Sequence, residues 1–357
     1  MRILQWLHGL ERLGHHVIFL EFLNVDPDEA TDPLVRYFAE TVERWWHPRQ
    51  SALIFESEVR SLYGLDTSEV ARAADDAAGV ITLMANYHPQ PYPLIEKVRP
   101  RILLEADPAY THLWAAESSA EEIFGHHDIY YTVGANIGTS RCAIPTLGIQ
   151  WRPLWNPVIL DWWPAGDGIR RDRFTTVADW RGYGYLVFAG QLLGPKSEEL
   201  RRFVELPRLA EEPLELALNI GAEDPDHRFL QSRGWIIDSS DVVSTPEEFR
   251  KYVSGSLGEF SCAKGGYVRT HSGWFSDRSA CYLAAGRPAV LQATGFEDVL
   301  PTGQGLFAVN TVEEAAEALK SVRENYTLHS EAAREIAEEY FDSRKTLSHL
   351  LADSGIL

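Results

Sequence analysis

The chain has 357 residues, of which 45% are hydrophobic, and a formal net charge of −19. That length suits two domains, each with an ordinary apolar core. The acidic balance excludes a nucleic-acid backbone or an anionic membrane as the main partner, while leaving room for a small anion at a locally basic site. The cysteines, Cys142, Cys262 and Cys281, are odd in number and widely spaced. They read as small core residues in a reducing compartment, not as a disulfide frame or a zinc site. No segment has the apolar length of a membrane span, and the N-terminus lacks a signal-peptide run. The expectation is a soluble, cytoplasmic protein.

In chain order, residues 1–13 place Ile3, Leu4, Leu7, Leu10 and Leu13 at helical spacing, and Gly14 ends the run. A buried strand is expected at 17–22, so the chain opens helix then strand. Met1–Leu4 lies too close to Val17 to be a preceding parallel strand joined by a crossover helix. Helices are expected at 32–47, at 67–78 with Thr67 as the cap, and at 93–98; strands at 79–84, 101–105 and 129–133. This alternation predicts a parallel α/β sheet with helices on its faces. Ligands of such sheets sit at the carboxyl ends of the strands, so His88, Asp107 and Asn136 should converge on one edge. His88 and Asp107 are the candidates for a general base that deprotonates an acceptor hydroxyl. The plainer reading of Asp107, just before Pro108, is an Asx-turn or a cap.

Residues 151–183 are rich in proline and tryptophan and read as a linker. A second α/β unit starts with a strand at 185–189 and turns through Gly190 and Gln191 toward Lys196. Further strands are expected at 214–219, 235–238 and 306–309, and capping boxes at Thr245 and Thr311. The most informative stretch is 258–295, which reads as strand, glycine-rich basic loop (265–274), helix and strand. Ser276 suits the N-cap and Gly286 the helix end. The physics of this unit is anion binding. A helix start offers unpaired N–H groups and about half a positive charge, and glycines admit a phosphate close to the backbone. Lys264, Arg269 and Arg278 add full charges, and Ser272, Gly273, Trp274, Ser276 and Ser279 supply the loop and the helix start. Arg278 stands in the first helical turn, where a cation is unfavourable unless an anion is bound. The bland alternative is a solvated loop whose arginines pair with surface carboxylates. The histidine pairs at 15–16 and 126–127 point to opposite faces and make no metal chelate.

Two α/β halves, an anion loop in the second and closing helices resemble the GT-B architecture. The segments SGWFSDRSACYLAAGRPAVLQATGF, LPTGQGLFAVNTVEEAAEAL and FAGQLLGPKSEEL resemble the donor-binding half of bacterial GT-B glycosyltransferases; EADPAYTHLW and YYTVGANIG resemble their first half. The resemblance implies two Rossmann-like domains facing a cleft. Residues 1–150 would form an acceptor domain lacking its usual first strand and glycine-rich turn, 151–183 a linker, 184–330 a donor domain, and 331–357 C-terminal helices that pack back on the first domain. It further implies hexosyl transfer from a nucleotide-diphosphate sugar to an acceptor (glycan, lipid or small molecule), with no tightly bound cofactor and no required metal. Lys196 matches the lysine that contacts the donor diphosphate, Ser272 to Ser279 match the phosphate-holding segment, and Gly190, Gln191, Thr294 and Gly295 fall where sugar and nucleotide are met. Gln191 stands where many relatives carry arginine. Gly273 and Cys281 replace the paired glutamates of retaining relatives, so that mechanism does not carry over. The rival readings are a sugar-nucleotide epimerase on the same fold and a truncated, non-catalytic relative that binds only a nucleotide or a partner.

Overall fold

A computed structural model describes residues 1–23, 31–84, 92–166, 168 and 170–356. The opening is helix then strand: α1 (Arg2–Arg12) precedes β1 (Phe19–Leu23). After α2 (Thr31–Trp45), β2 (Ser51–Phe55) and β3 (Arg60–Gly64) complete a three-stranded sheet of order β1-β2-β3, with β1 parallel and β3 antiparallel to β2. Helix α3 (Thr67–Asp75) is capped one residue earlier than the sequence suggested. Asp66 accepts from the Glu69 amide, and Glu69 returns the bond to the Asp66 amide, a reciprocal capping box. Strands β4 (Val80–Leu83), β5 (Arg101–Glu105), β6 (Ile129–Thr132) and β7 (Trp151–Pro153) form a parallel sheet in that order. Helices α4 (Tyr110–Glu117) and α5 (Ala120–Phe124) connect β5 to β6.

The second half is built on a six-stranded parallel sheet. Its elements are β8 (Arg171–Asp179), the hairpin β9 (Leu186–Phe188) and β10 (Gln191–Leu193), α6 (Lys196–Leu200), α7 (Leu206–Ala210), β11 (Leu214–Asn219), α8 (Pro225–Ser232), β12 (Ile236–Ser239), α9 (Pro246–Gly255), β13 (Ser256–Ser261), α10 (Gly265–Arg269), α11 (Asp277–Ala284), β14 (Ala289–Gln292) and β15 (Leu306–Val309). The sheet order is β12-β11-β8-β13-β14-β15, and the β9–β10 hairpin stands apart from it. Helices α12 (Val312–Glu324), α13 (Tyr326–Tyr340) and α14 (Ser343–Ser354) end the chain.

Two expectations are corrected here. The 151–183 stretch is not a linker throughout: β7 lies at the edge of the first sheet and β8 lies between β11 and β13 in the second. Strand β8 is disguised by its charges. Arg171 and Arg173 both donate to the buried Glu215 carboxylate of β11, at 3.0 and 2.7 Å, which lets charged residues occupy an inner strand. The 185–189 segment does not open the second sheet. It is one arm of an antiparallel hairpin whose turn uses Ala189 (φ 49°) and Gly190 (φ 76°).

The C-terminal helix returns to the first domain. Leu347, Leu350 and Leu351 of α14 pack with Trp6 and Leu10 of α1 over Ile102, Leu104, Tyr131 and Val133. The approach is tight at Gly9, where a Cβ would lie 2.5 Å from Leu347 Cδ1. Gly9→Val is therefore expected to destabilise the chain by about 1–3 kcal/mol through overpacking, visible as a lower urea midpoint with an unchanged slope.

Candidate functional site

Strand β13 is buried along its length and ends at Ser261. The glycine-rich segment after it is not an open loop. Residues Gly265–Arg269 form a short helix, and only 270–276 run irregularly to α11. Ser276 caps α11 by accepting from the Arg278 amide at 3.3 Å. Beyond its end, Gly286 takes φ 65°, and β14 follows.

A small cavity opens at this helix start. Ser261, Trp274, Ser276, Arg278, Ser279 and Thr294 are among its walls. Two cations converge on one hydroxyl there. Arg278 Nη2 donates to Ser261 Oγ at 2.9 Å and Lys196 Nζ at 3.4 Å. Arg278 is held on its other sides: Nε donates to Glu259 Oε1 at 2.6 Å, and Nη1 to the Val177 carbonyl at 2.9 Å. Glu259 is wholly buried. Among the described residues its Oε2, and the hydroxyl of the equally buried Ser279, have no hydrogen-bond partner. One carboxylate thus faces two cations. Burial opposes the charge of Arg278, but Glu259 more than offsets this and its pKa is raised. Among the described residues no carboxylate pairs directly with Lys196, and the attraction of Glu259 is outweighed: burial first, and Arg278 second, lower its ammonium to about 7.

The first domain meets this segment directly. The Asn136 amide donates to the Ser272 carbonyl at 3.0 Å and the Ala135 amide to that of Gly273 at 3.3 Å. Asn136 Nδ2 lies 3.1 Å from the His271 carbonyl, 3.2 Å from that of Gly295 and 3.0 Å from Asp298 Oδ2. The glycines of this region answer to such approaches. A Cβ on Gly273 (φ 76°) would lie 2.7 Å from the Asn136 nitrogen, and one on Gly295 (φ 96°) 2.5 Å from Asn136 Nδ2. On Gly266 it would lie 2.6 Å from the Tyr110 ring, and on Gly265 2.8 Å from the Gly194 nitrogen. They admit neighbouring chain where the sequence suggested a phosphate.

A second polar cluster joins the domains. Asp107 accepts from Lys264 Nζ at 3.1 Å and from the Tyr267 hydroxyl on Oδ1, and from the Tyr183 hydroxyl at 2.9 Å on Oδ2. Lys264 Nζ sits 3.5 Å from the centre of the Tyr183 ring, a cation–π contact. Burial opposes ionisation of Asp107, yet Lys264 and the two tyrosines together hold its pKa below the usual carboxylate value. Its neighbour Glu105 is the opposite case. It accepts from Thr111 and Thr132 hydroxyls at 2.8 Å each, but complete burial pushes it up to about 8. Between about pH 4.5 and 8 the folded chain therefore holds a proton there that the unfolded chain has lost, and stability falls as pH rises through that window. Glu105→Gln is expected to gain on the parent by about 1 kcal/mol for each pH unit across it, measured by urea unfolding at pH 5 and pH 8.

Of the residues singled out from sequence, Trp274, Ser276, Arg278, Ser279 and Thr294 line the cavity, and Lys196 reaches its Ser261 wall. Others are directed elsewhere. Lys264 is committed to Asp107, and Arg269 pairs with the buried Glu199 at 2.8 Å. Ser272 is buried under the Asn136 contact, and Gly295 receives the Asn136 side chain. Gly190 sits in the hairpin turn and Gln191 opens β10, both exposed to solvent. His88 lies outside the described residues. Cys281 and the other two cysteines are buried free thiols. Among the described residues no group of three His, Cys, Asp or Glu side chains is arranged for a metal, and no helix is long and apolar enough to cross a membrane. Sequence reasoning missed Glu105, Tyr183 and Tyr267; only Glu105 carried a signal, as the charged last residue of an apolar strand.

No family model and no curated protein matches the chain. Solved structures do. HepE from Anabaena, in complex with UDP and glucose, is similar with a TM-score of 0.56 and 13% identity, over 94% of this chain and 99% of that one. A glycosyltransferase from Rickettsia africae gives 0.53 and 11%, over 99% and 92%. Sucrose-phosphate synthase from Thermosynechococcus elongatus gives 0.50 and 11%, over 97% and 90%. At these identities the likeness is one of fold: the chain has the GT-B fold, two Rossmann-like α/β domains facing each other.

Proposed function

We propose that the chain transfers a sugar from a nucleoside-diphosphate donor to an acceptor hydroxyl. The observation that carries this reading is the convergence of Lys196 and Arg278 on Ser261 at the start of α11, beside the unpartnered Ser279 hydroxyl. Breaking the bond between the sugar carbon and the diphosphate oxygen leaves negative charge on that oxygen. Fixed cations and a helix start aimed at it stabilise the transition state more than the ground state. Lys196, Arg278 and the α11 amides supply such electrostatics from the chain itself, without calling on a metal. The likeness to HepE, whose structure holds UDP and glucose, supports a nucleotide-sugar donor.

The acceptor base is assigned to the first domain. Asp107, filled by three donors, acts in this arrangement as a clamp between the domains, which leaves His88 as the candidate for proton removal. The test is release of nucleoside diphosphate from a panel of UDP-, GDP-, ADP- and TDP-sugars. Release that is abolished by Lys196→Ala supports transfer. An isomerised sugar nucleotide without release would instead identify an epimerase, and binding without either product a binding-only relative.

A further inference from the structure

We propose that Asn136, at the carboxyl end of the first-domain sheet, is a positioning residue that holds the second domain's phosphate-facing segment 271–276 in its binding conformation. The inference rests on the donor-site reading above and adds to it a requirement that crosses the domain boundary.

Three observations converge on it. The contact is built like a short strand pairing: Gly134 bridges Trp274 in antiparallel fashion, and the amides of 135 and 136 donate to the carbonyls of 273 and 272. The side chain is completely buried, and its Nδ2 spans the two turns that flank the cavity, reaching His271 O on one side and Gly295 O on the other. Both turns are shaped to receive it. His271 takes φ 52°, a conformation uncommon for a non-glycine residue, and Gly273 and Gly295 have no room for a Cβ because Asn136 is there. The next residue along each turn toward the cavity, Trp274 after Gly273 and Thr294 before Gly295, forms part of its wall. The amide group suits this place because Nδ2 donates to oxygens only. Asp298 Oδ2, 3.0 Å away, also accepts from His271 Nε2 at 2.8 Å and lies 3.5 Å from Arg141 Nε. A carboxylate at 136 would face two carbonyls and Asp298 with no proton to give.

The test compares the parent, Asn136→Asp and Tyr110→Phe. The last keeps the ring and removes only a buried interdomain hydroxyl, which donates to Gly194 O at 3.1 Å and accepts from the Gly266 amide at 3.2 Å, and so touches neither 271–276 nor the 294–295 turn. Affinity for UDP, GDP, ADP and TDP is measured by calorimetry, and amide exchange by mass spectrometry. At pH 7.5, Asn136→Asp is expected to bind at least tenfold more weakly than the parent. Exchange should accelerate in 271–276 but not in 256–261. At pH 5 the ratio to the parent should shrink to within about threefold, because a carboxyl beside Asp298 has a raised pKa and donates again once protonated. Tyr110→Phe should leave affinity and exchange of 271–276 unchanged. Equal binding by Asn136→Asp and parent overturns the inference, as does an equal loss in Tyr110→Phe, which would make Asn136 one of several interchangeable interdomain contacts. A parent that binds none of the four nucleotides defeats the donor-site reading first, and this inference with it.

Discussion

Replacing Arg278 by methionine is expected to lower stability by about 3–5 kcal/mol, and replacing Glu259 by methionine as well to restore most of that loss. The guanidinium is the partner of a carboxylate that is wholly inside the protein and already has one oxygen without a donor. Removing the cation alone leaves Glu259 to be buried charged or to take up a proton, and either is costly. Removing both leaves apolar side chains of similar length between β13 and α11. The residual loss in the double variant reflects the Val177 carbonyl and Ser261 hydroxyl that Arg278 also serves. Urea unfolding of the two single variants and the double variant completes the cycle. A single Arg278→Met variant within 1 kcal/mol of the parent would show that the pair is not coupled as described. The double variant has a second use. It should be folded yet bind nucleoside diphosphate at least tenfold more weakly, which separates the structural task of Arg278 from its task toward the ligand.

Binding of a nucleoside diphosphate is expected to draw in close to one proton at pH 8.5, and the affinity to fall by up to about tenfold per pH unit above 7. Where no anion is bound, Lys196 titrates at about 7, against an ordinary 10.5, because burial and then Arg278 disfavour its charge. Between those values the folded chain carries Lys196 neutral and the unfolded chain carries it charged. The unfolded state then binds more protons, so without a bound anion this group makes the protein more stable as pH rises through the window. A diphosphate reverses the preference by supplying the anion the site lacks, and the ammonium regains its proton on binding. Calorimetry at pH 8.5 in two buffers of different ionisation enthalpy reads the proton directly. Lys196→Ala should weaken binding about ten- to a hundredfold at pH 7 and abolish both the proton uptake and the pH slope. An affinity that is flat from pH 7 to 9 in the parent would refute this account of Lys196.

The architecture was legible where short apolar runs are bounded by turn residues. Strands β5, β11 and β15 lie at the residues the sequence indicated, and the capping box read at Thr245 is formed; Thr311 caps its helix by accepting from the Glu314 amide, but the Glu314 carboxylate turns to the Asn310 amide and closes no box. It was not legible where tertiary partners mask composition. Strand β8 hides behind Arg171 and Arg173, which only the distant Glu215 explains. Strands β2 and β3 are short, and β3 is partly exposed, so neither stands out from its surroundings. The site divides in the same way. Lys196, Ser276, Arg278 and Ser279 could be chosen because strand, turn and capped helix are local signals. Lys264 and Arg269 could not be sorted from them, since their partners Asp107 and Glu199 stand 157 and 70 positions away. The glycines read as phosphate-admitting have a different close neighbour in the fold. Their missing side chains make room for Asn136, Tyr110 and Gly194, a fact of domain contact that no local pattern encodes.

The central claim is that the start of α11, with Lys196 and Arg278, is an anion site for a nucleoside diphosphate. The most direct measurement is calorimetric titration of UDP, GDP, ADP and TDP, with and without magnesium, into the parent chain and Lys196→Ala. The account predicts micromolar binding of one nucleotide to the parent and a loss of at least tenfold in the variant. Parent and variant binding alike, or no nucleotide binding to the parent, would contradict it.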